Sequence, residues 1–207
     1  KLHDEDTSVP DNISSRKGAS IIKGIITKFT GDVKVTAKGA SSSHAAKAGE
    51  VVNEGSKVVT GADGIAEISF DNGNALYLKP NTNIVILRLI FDSKTGEYEN
   101  VFHSDQGKLM ARIDKLIGKS KFEIKTPTAV CGARGTIMYL SIAPGGATTA
   151  FYEGGNGYTT NLISGQTMEV GAGGGASTDS TGSVSETSPD AGGGGSGGMD
   201  EGWDPSG

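Results

Sequence analysis

Residues 121–136 read Lys121-Phe122-Glu123-Ile124-Lys125-Thr126-Pro127-Thr128-Ala129-Val130-Cys131-Gly132-Ala133-Arg134-Gly135-Thr136, and their reading decides the fold class. Phe122 and Ile124 fall on one side of an alternating strand, Glu123 and Lys125 on the other. Pro127 then breaks the strand, because proline donates no ladder hydrogen bond and pushes its predecessor into an extended conformation. A small-residue run leads to Arg134-Gly135-Thr136, and a second strand-like run, Ile137 to Ile142, follows. Strand, proline break, glycine-flanked arginine and strand together predict an internal corner of a β fold. Cys131 packs inward there, and Arg134 pins the turn through hydrogen bonds to carbonyls. Thr126, Pro127, Cys131, Gly132, Arg134, Gly135 and Thr136 are the residues of this structural motif, and Arg134→Ala is expected to lower thermal stability.

The same texture extends outward in both directions. Val33 and Val35 alternate with polar neighbours, and Ala66, Ile68 and Phe70 share one face of the next clear strand. Asp71-Asn72-Gly73-Asn74 is the strongest hairpin signal, since Asn-Gly accepts the positive φ angles of a primed turn. These side chains also resemble the start of a calcium loop, but no acid closes a twelve-residue frame, so the turn is preferred. Ile84 to Phe91 is nearly continuous in apolar residues and predicts burial on both faces or a subunit contact on one. The chain therefore divides into a polar arm (1–20), a single all-β domain of many short strands built as a sandwich or β-roll (21–171), and a Gly- and Ser-rich acidic tail (172–207). That tail composition is expected not to order itself.

At 207 residues the chain can bury a sizeable core. Its charge is asymmetric: all 19 Lys and Arg lie at or before Arg134, whereas the residues after it carry acids and no base. Such a distribution lets a basic front attract an acidic back in another copy. Lys108, Arg112, Lys115, Lys119, Lys121 and Lys125 crowd one segment, but acids interrupt them and no aromatic platform is interleaved. They read as a solvated strand face rather than a nucleic-acid site.

The single cysteine excludes an intrachain disulfide, and no His or Asn is placed to activate it. His3, His44 and His103 have no ligand-type spacing, and no nucleophile elbow or phosphate loop is present. No catalytic residue, metal ligand or cofactor is assigned. No apolar run approaches the roughly 18 residues of a membrane span. The charged start, Lys1 to Asp6, resembles a mature form after signal-peptide removal, which predicts an extracellular or cell-surface location. Asn12-Ile13-Ser14 fits the glycosylation acceptor pattern.

Residues 21–171 resemble the FecR-like β domain of bacterial cell-envelope proteins. The resemblance rests on Gly31-Asp32-Val33, the Gly49–Gly61 segment, Ile65–Phe70 with its Asp71-Asn72-Gly73 turn, Pro80-Asn81-Thr82, Phe122–Val130 with Arg134-Gly135-Thr136, and Ser164-Gly165-Gln166. It implies an exported all-β domain without catalytic residues. Founding members sense a signal across the envelope and control a sigma factor; in other members the domain is a module of surface proteins. Because open sheet edges accept added strands, the leading expectation is a non-enzymatic surface or extracellular structural protein. It would self-assemble into filaments by exchanging the arm or tail between copies. The alternative is a periplasmic or cell-surface sensing module that recognises glycan or an envelope protein through its loops.

Overall fold

The structure is a computed structural model and describes residues 12–188. The remainder of the expected arm, with His3, and the tail beyond residue 188 lie outside the described residues. After a 3-10 turn (Ile13–Ser15) come β1 (Ala19–Ile21), β2 (Gly24–Thr30), β3 (Val33–Thr36), β4 (His44–Ala45), β5 (Val51–Val52), β6 (Lys57–Thr60), β7 (Ile65–Phe70) and β8 (Ala75–Leu78). The middle of the chain adds β9 (Asn83–Asp92), β10 (Tyr98–His103), β11 (Gly107–Arg112), β12 (Lys121–Lys125) and β13 (Ala129–Arg134). Then follow β14 (Ile137–Ile142), β15 (Thr148–Tyr152), β16 (Asn156–Asn161), β17 (Thr167–Val170), β18 (Gly175–Thr178) and β19 (Val184–Thr187).

These strands build two sheets, in agreement with the all-β reading. One runs β17-β16-β13-β12-β10-β9-β6-β3-β4, with β1 added against β9. The other runs β19-β18-β15-β14-β11-β8-β7-β2-β5. β10 and β12 pair parallel, because β11 between them in sequence belongs to the opposite sheet. The chain therefore crosses from one sheet to the other after β11, through residues 113–120. The alternation of buried and partly exposed residues in β7 points Ala66, Ile68 and Phe70 into a shared core. Phe70, Phe102 and Phe122 form a ladder across that core, with successive ring centroids 5.3 Å apart. Each such tilted pair is worth about 1 kcal/mol beyond its buried area.

Three expectations change in contact with the fold. The apolar run Ile84–Phe91 is buried on both faces only at its Leu89-Ile90 step, and a β-bulge interrupts it: the β9–β10 register passes from Arg88↔Val101 to Ile86↔Phe102 and leaves Leu87 unpaired. Ile84 and Ile86 point inward before the bulge and Leu89 after it, while Leu87 is 43% exposed. The Asp71–Asn74 hairpin joins β7 to β8, but only Gly73 takes a positive φ, so the turn is not the primed type.

The third change concerns the tail. Residues 175–187, expected to be unordered, form β18 against β15 and β19 against β18. Small residues suffice there because Ala176 meets a core that others have built, and it is fully buried. Asn161 adds two anchors, its amide donating to the carbonyls of Asp179 and Ser183. The end of the arm behaves likewise, with Ile13 buried and β1 paired to β9.

Candidate functional site

The β12–β13 hairpin places the 121–136 motif at the centre of one sheet, between β10 and β16. At its turn, the Thr126 N–H donates to the Ala129 carbonyl, and the Ala129 N–H donates to the Thr126 hydroxyl. Thr128 donates to the Gly146 carbonyl at 2.6 Å, and Thr126, Thr128, Thr148 and Thr178 share hydroxyl contacts of 2.8–3.3 Å. Pro127 lies exposed above this buried cluster. Cys131 is fully buried, with the Thr159 hydroxyl 3.9 Å from its sulfur. Burial pushes its thiol up to about 12, which removes it from thiolate chemistry at neutral pH.

The other end of the hairpin differs. Glu123, Gly132 and Tyr158 stand in register on the sheet surface away from the core, with Glu169 next across β17. A Cβ at position 132 would collide with the Tyr158 ring, so glycine there lets the ring lie across β13. The Tyr158 hydroxyl thereby reaches the Glu123 carboxylate and donates to it. Burial, and then the Glu123 carboxylate, push the phenol above its ordinary range. The other Glu123 oxygen receives Lys121 Nζ at 3.1 Å.

Beside this row the crossing loop 113–120 leaves a concavity of about 550 Å³. Lys115, Lys119, Lys121, Arg134, Tyr158 and Phe122 are among its walls. Gly135, at φ +65°, sits where its Cβ would lie 3.1 Å from the Cα of Lys115, so the Arg134-Gly135 corner and the loop touch. The loop is fastened at both ends. Ile113 donates its N–H to the Thr136 carbonyl, while Asp114 receives the Tyr98 hydroxyl and donates to Asn74. At the far end the Lys119 N–H donates to Glu97 at 2.7 Å, and Glu97 also accepts from Arg16. These bonds, the Lys119 N–H first, hold the Glu97 carboxyl below its usual range. Arg16 lies 3.7 Å from Asp92 as well, so the end of the arm braces the loop.

The motif residues are therefore divided among three places. Thr126 and Cys131 serve the interior, Gly132 and Arg134 the concavity, and Gly135 and Thr136 the corner, where the Thr136 hydroxyl accepts the Gly154 N–H. The expected role of Arg134 is corrected: it is exposed and its side chain makes no hydrogen bond or ion pair among the described residues, so the guanidinium pins nothing. The basic segment is corrected too, since Lys115 and Lys119 stand on the loop and not on a strand face. Asn12 is exposed, and its side-chain oxygen accepts from Ser14 to start the 3-10 turn. Sequence reasoning missed Tyr158, Glu97 and Arg16, which lie far along the chain from the groups they meet. The one local hint was Gly132, a glycine inside a strand pattern, which signals close approach of another group.

This arrangement defines a class: an all-β sandwich that carries a groove lined by cationic side chains. Residues 56–155 match the family described as FecR protein, in agreement with the resemblance carried by the 121–136 motif. No curated protein matches the sequence. Two solved structures of a candidate anti-sigma factor from Parabacteroides distasonis share the fold, each with a TM-score of 0.52. They are 9% and 12% identical and align with 65% and 64% of this chain. The chain spans about 60% of the length of those neighbours.

The family match and these neighbours overturn the expected filament-forming, self-assembling, secreted structural protein, because the solved neighbours are described as a candidate anti-sigma factor and not as a filament subunit. The fold supplies the physical reason: β1, β18 and β19, which lie in the segments expected to be exchanged, are paired within their own chain. No helix among the described residues is long and apolar enough to cross a membrane.

Proposed function

We propose that this chain is a sensing module of a bacterial cell-envelope regulator, non-enzymatic, which recognises its ligand in the groove between loop 113–120 and the Lys121–Arg134 end of the β12–β13 hairpin. The observation that carries the reading is Lys115 beside Arg134, two cations without ion-pair partners among the described residues, facing a concavity of about 550 Å³ on a rigid sandwich. Clustered like charges repel one another, so an arrangement that keeps them together around a hollow favours an anionic occupant. The FecR match and the anti-sigma-factor fold neighbours support regulation over catalysis, and with it an envelope location. The test is genetic. Replacing the chromosomal gene with a Lys115→Glu/Arg134→Glu version should reproduce the transcript changes of a deletion strain while protein level stays normal. A deletion that alters no transcript overturns the sensing reading.

A further inference from the structure

We infer that the groove binds an acidic polysaccharide, a polymer of sugars bearing ring-attached carboxylates. This rests on the reading of the groove as the recognition site and names its ligand class. Three features converge on that chemistry.

The first is charge. The acid nearest the groove floor, Glu123, already has both oxygens engaged, by Lys121 and by the Tyr158 hydroxyl. Glu169 faces the same sheet surface across from Tyr158 but makes no ion pair with Arg134 or Lys115. The positive charge of Arg134 and Lys115 is therefore left for a ligand, and a guanidinium offers a planar fork that matches a carboxylate.

The second is the aromatic floor. The Tyr158 ring rests on Gly132 and its hydroxyl is tied to Glu123, so its orientation is set before any ligand arrives. A preset aromatic ring with a polar tip stacks on the apolar C–H face of a sugar at little entropic cost. A uronic-acid-type sugar carries that face and the carboxylate on one ring.

The third separates a sugar from an acidic peptide. β12 and β13 are both interior strands, with neighbours on each side, so the floor offers no unpaired edge to which an extended peptide can add a strand. The hollow, about 550 Å³, lies within the range of roughly 300–1,000 Å³ typical of small-ligand sites and has room for a short run of sugar units.

The experiment is calorimetric titration of the full chain with oligogalacturonate, with a neutral malto-oligosaccharide and short poly-glutamate as comparison arms. Oligogalacturonate is expected to bind, the neutral sugar not. Affinity should fall about tenfold or more in Arg134→Gln and in Lys115→Gln, since a hydrogen bond to a charged group is worth about 1.5–3 kcal/mol. It should also fall in Tyr158→Ala, and weaken between low and physiological salt. Thermal melting of the Arg134 and Lys115 variants should match the parent, which separates lost binding from lost fold. Poly-glutamate binding as tightly as the uronate, and indifferent to Tyr158→Ala, overturns the sugar assignment and leaves the groove as the recognition site. Uronate binding unchanged in both cation variants overturns the groove itself. No uronate binding by the folded parent overturns the ligand class while the genetic test of sensing still stands.

Discussion

At the Thr126–Thr128 end of the β12–β13 hairpin, four threonine hydroxyls satisfy one another in the interior, and the Gly146 carbonyl accepts from two of them. At the Lys121–Arg134 end of the same two strands, Arg134 and Lys115 face a hollow with no partner among the described residues. A buried polar group without a hydrogen bond costs free energy, so the turn end had to be completed by the chain itself. An exposed cation is solvated by water and can wait for a partner. One continuous motif thus combines an end whose polar groups are satisfied within the chain with an end whose charges stay open to solvent and to the ligand proposed above.

The largest expected effect breaks the completed end. Thr126→Val/Thr128→Val removes two hydroxyls and leaves the Ala129 N–H without its acceptor. It should cost about 3 kcal/mol in denaturant unfolding, with both losses inside one network. Groove binding in the folded fraction should be untouched; a stability loss under about 1 kcal/mol would mean the cluster is not the clamp it resembles.

The brace that holds loop 113–120 beside the open end comes next. Glu97→Gln should cost about 2 kcal/mol at neutral pH, because a carboxylate accepting from Lys119 and Arg16 becomes neutral. The sign of its pH dependence follows from the lowered folded pKa. Stability from Glu97 is complete above its unfolded value near 4.3 and is lost as pH falls through the lower folded value. The variant should therefore show a flatter fall in melting temperature below about pH 4 than the parent. Parallel profiles would show that Glu97 does not carry the acid response.

A smaller effect is expected at the corner. Gly135→Ala forces a side chain into the left-handed region at φ +65° and towards the Lys115 backbone. Strain of about 1–2 kcal/mol follows. Because the loop must shift, ligand affinity should fall together with stability, unlike in the threonine variant. A loss of stability with affinity intact would detach the corner from the groove.

What could be read from the sequence follows the range of the interactions. The alternation of Ala66, Ile68 and Phe70, the Asp71–Gly73 turn and the 121–136 corner are local patterns, and the all-β fold followed from them. β18 and β19 were hidden because glycine, serine and threonine carry no periodic apolar signal; their order comes from the β15 edge and from Asn161, which no local window contains. The groove was hidden for a related reason. Arg16 and Glu97 are 81 residues apart, and Tyr158 and Glu123 are 35 apart. Lys115 and Lys119 were visible as charges, but only the crossing between sheets turns them into a wall.

The smallest expected effect is the most discriminating. From the sequence, Arg134 between two glycines reads as the pin of the turn, and its removal should lower the melting temperature. In the structure the corner is maintained without it: Thr136 accepts the Gly154 N–H, its carbonyl accepts the Ile113 N–H, and Gly135 supplies the left-handed φ. Arg134 adds a charge beside Lys115 and no hydrogen bond. Removing an exposed side chain of that kind changes stability by no more than about 0.5 kcal/mol, and relief of like-charge repulsion biases the change towards stabilisation. Arg134→Ala should therefore melt within about 2 °C of the parent and be slightly more stable at low salt than at high salt, relative to it. A drop of several degrees would return Arg134 to the structural role and remove the unpaired cation on which the groove depends.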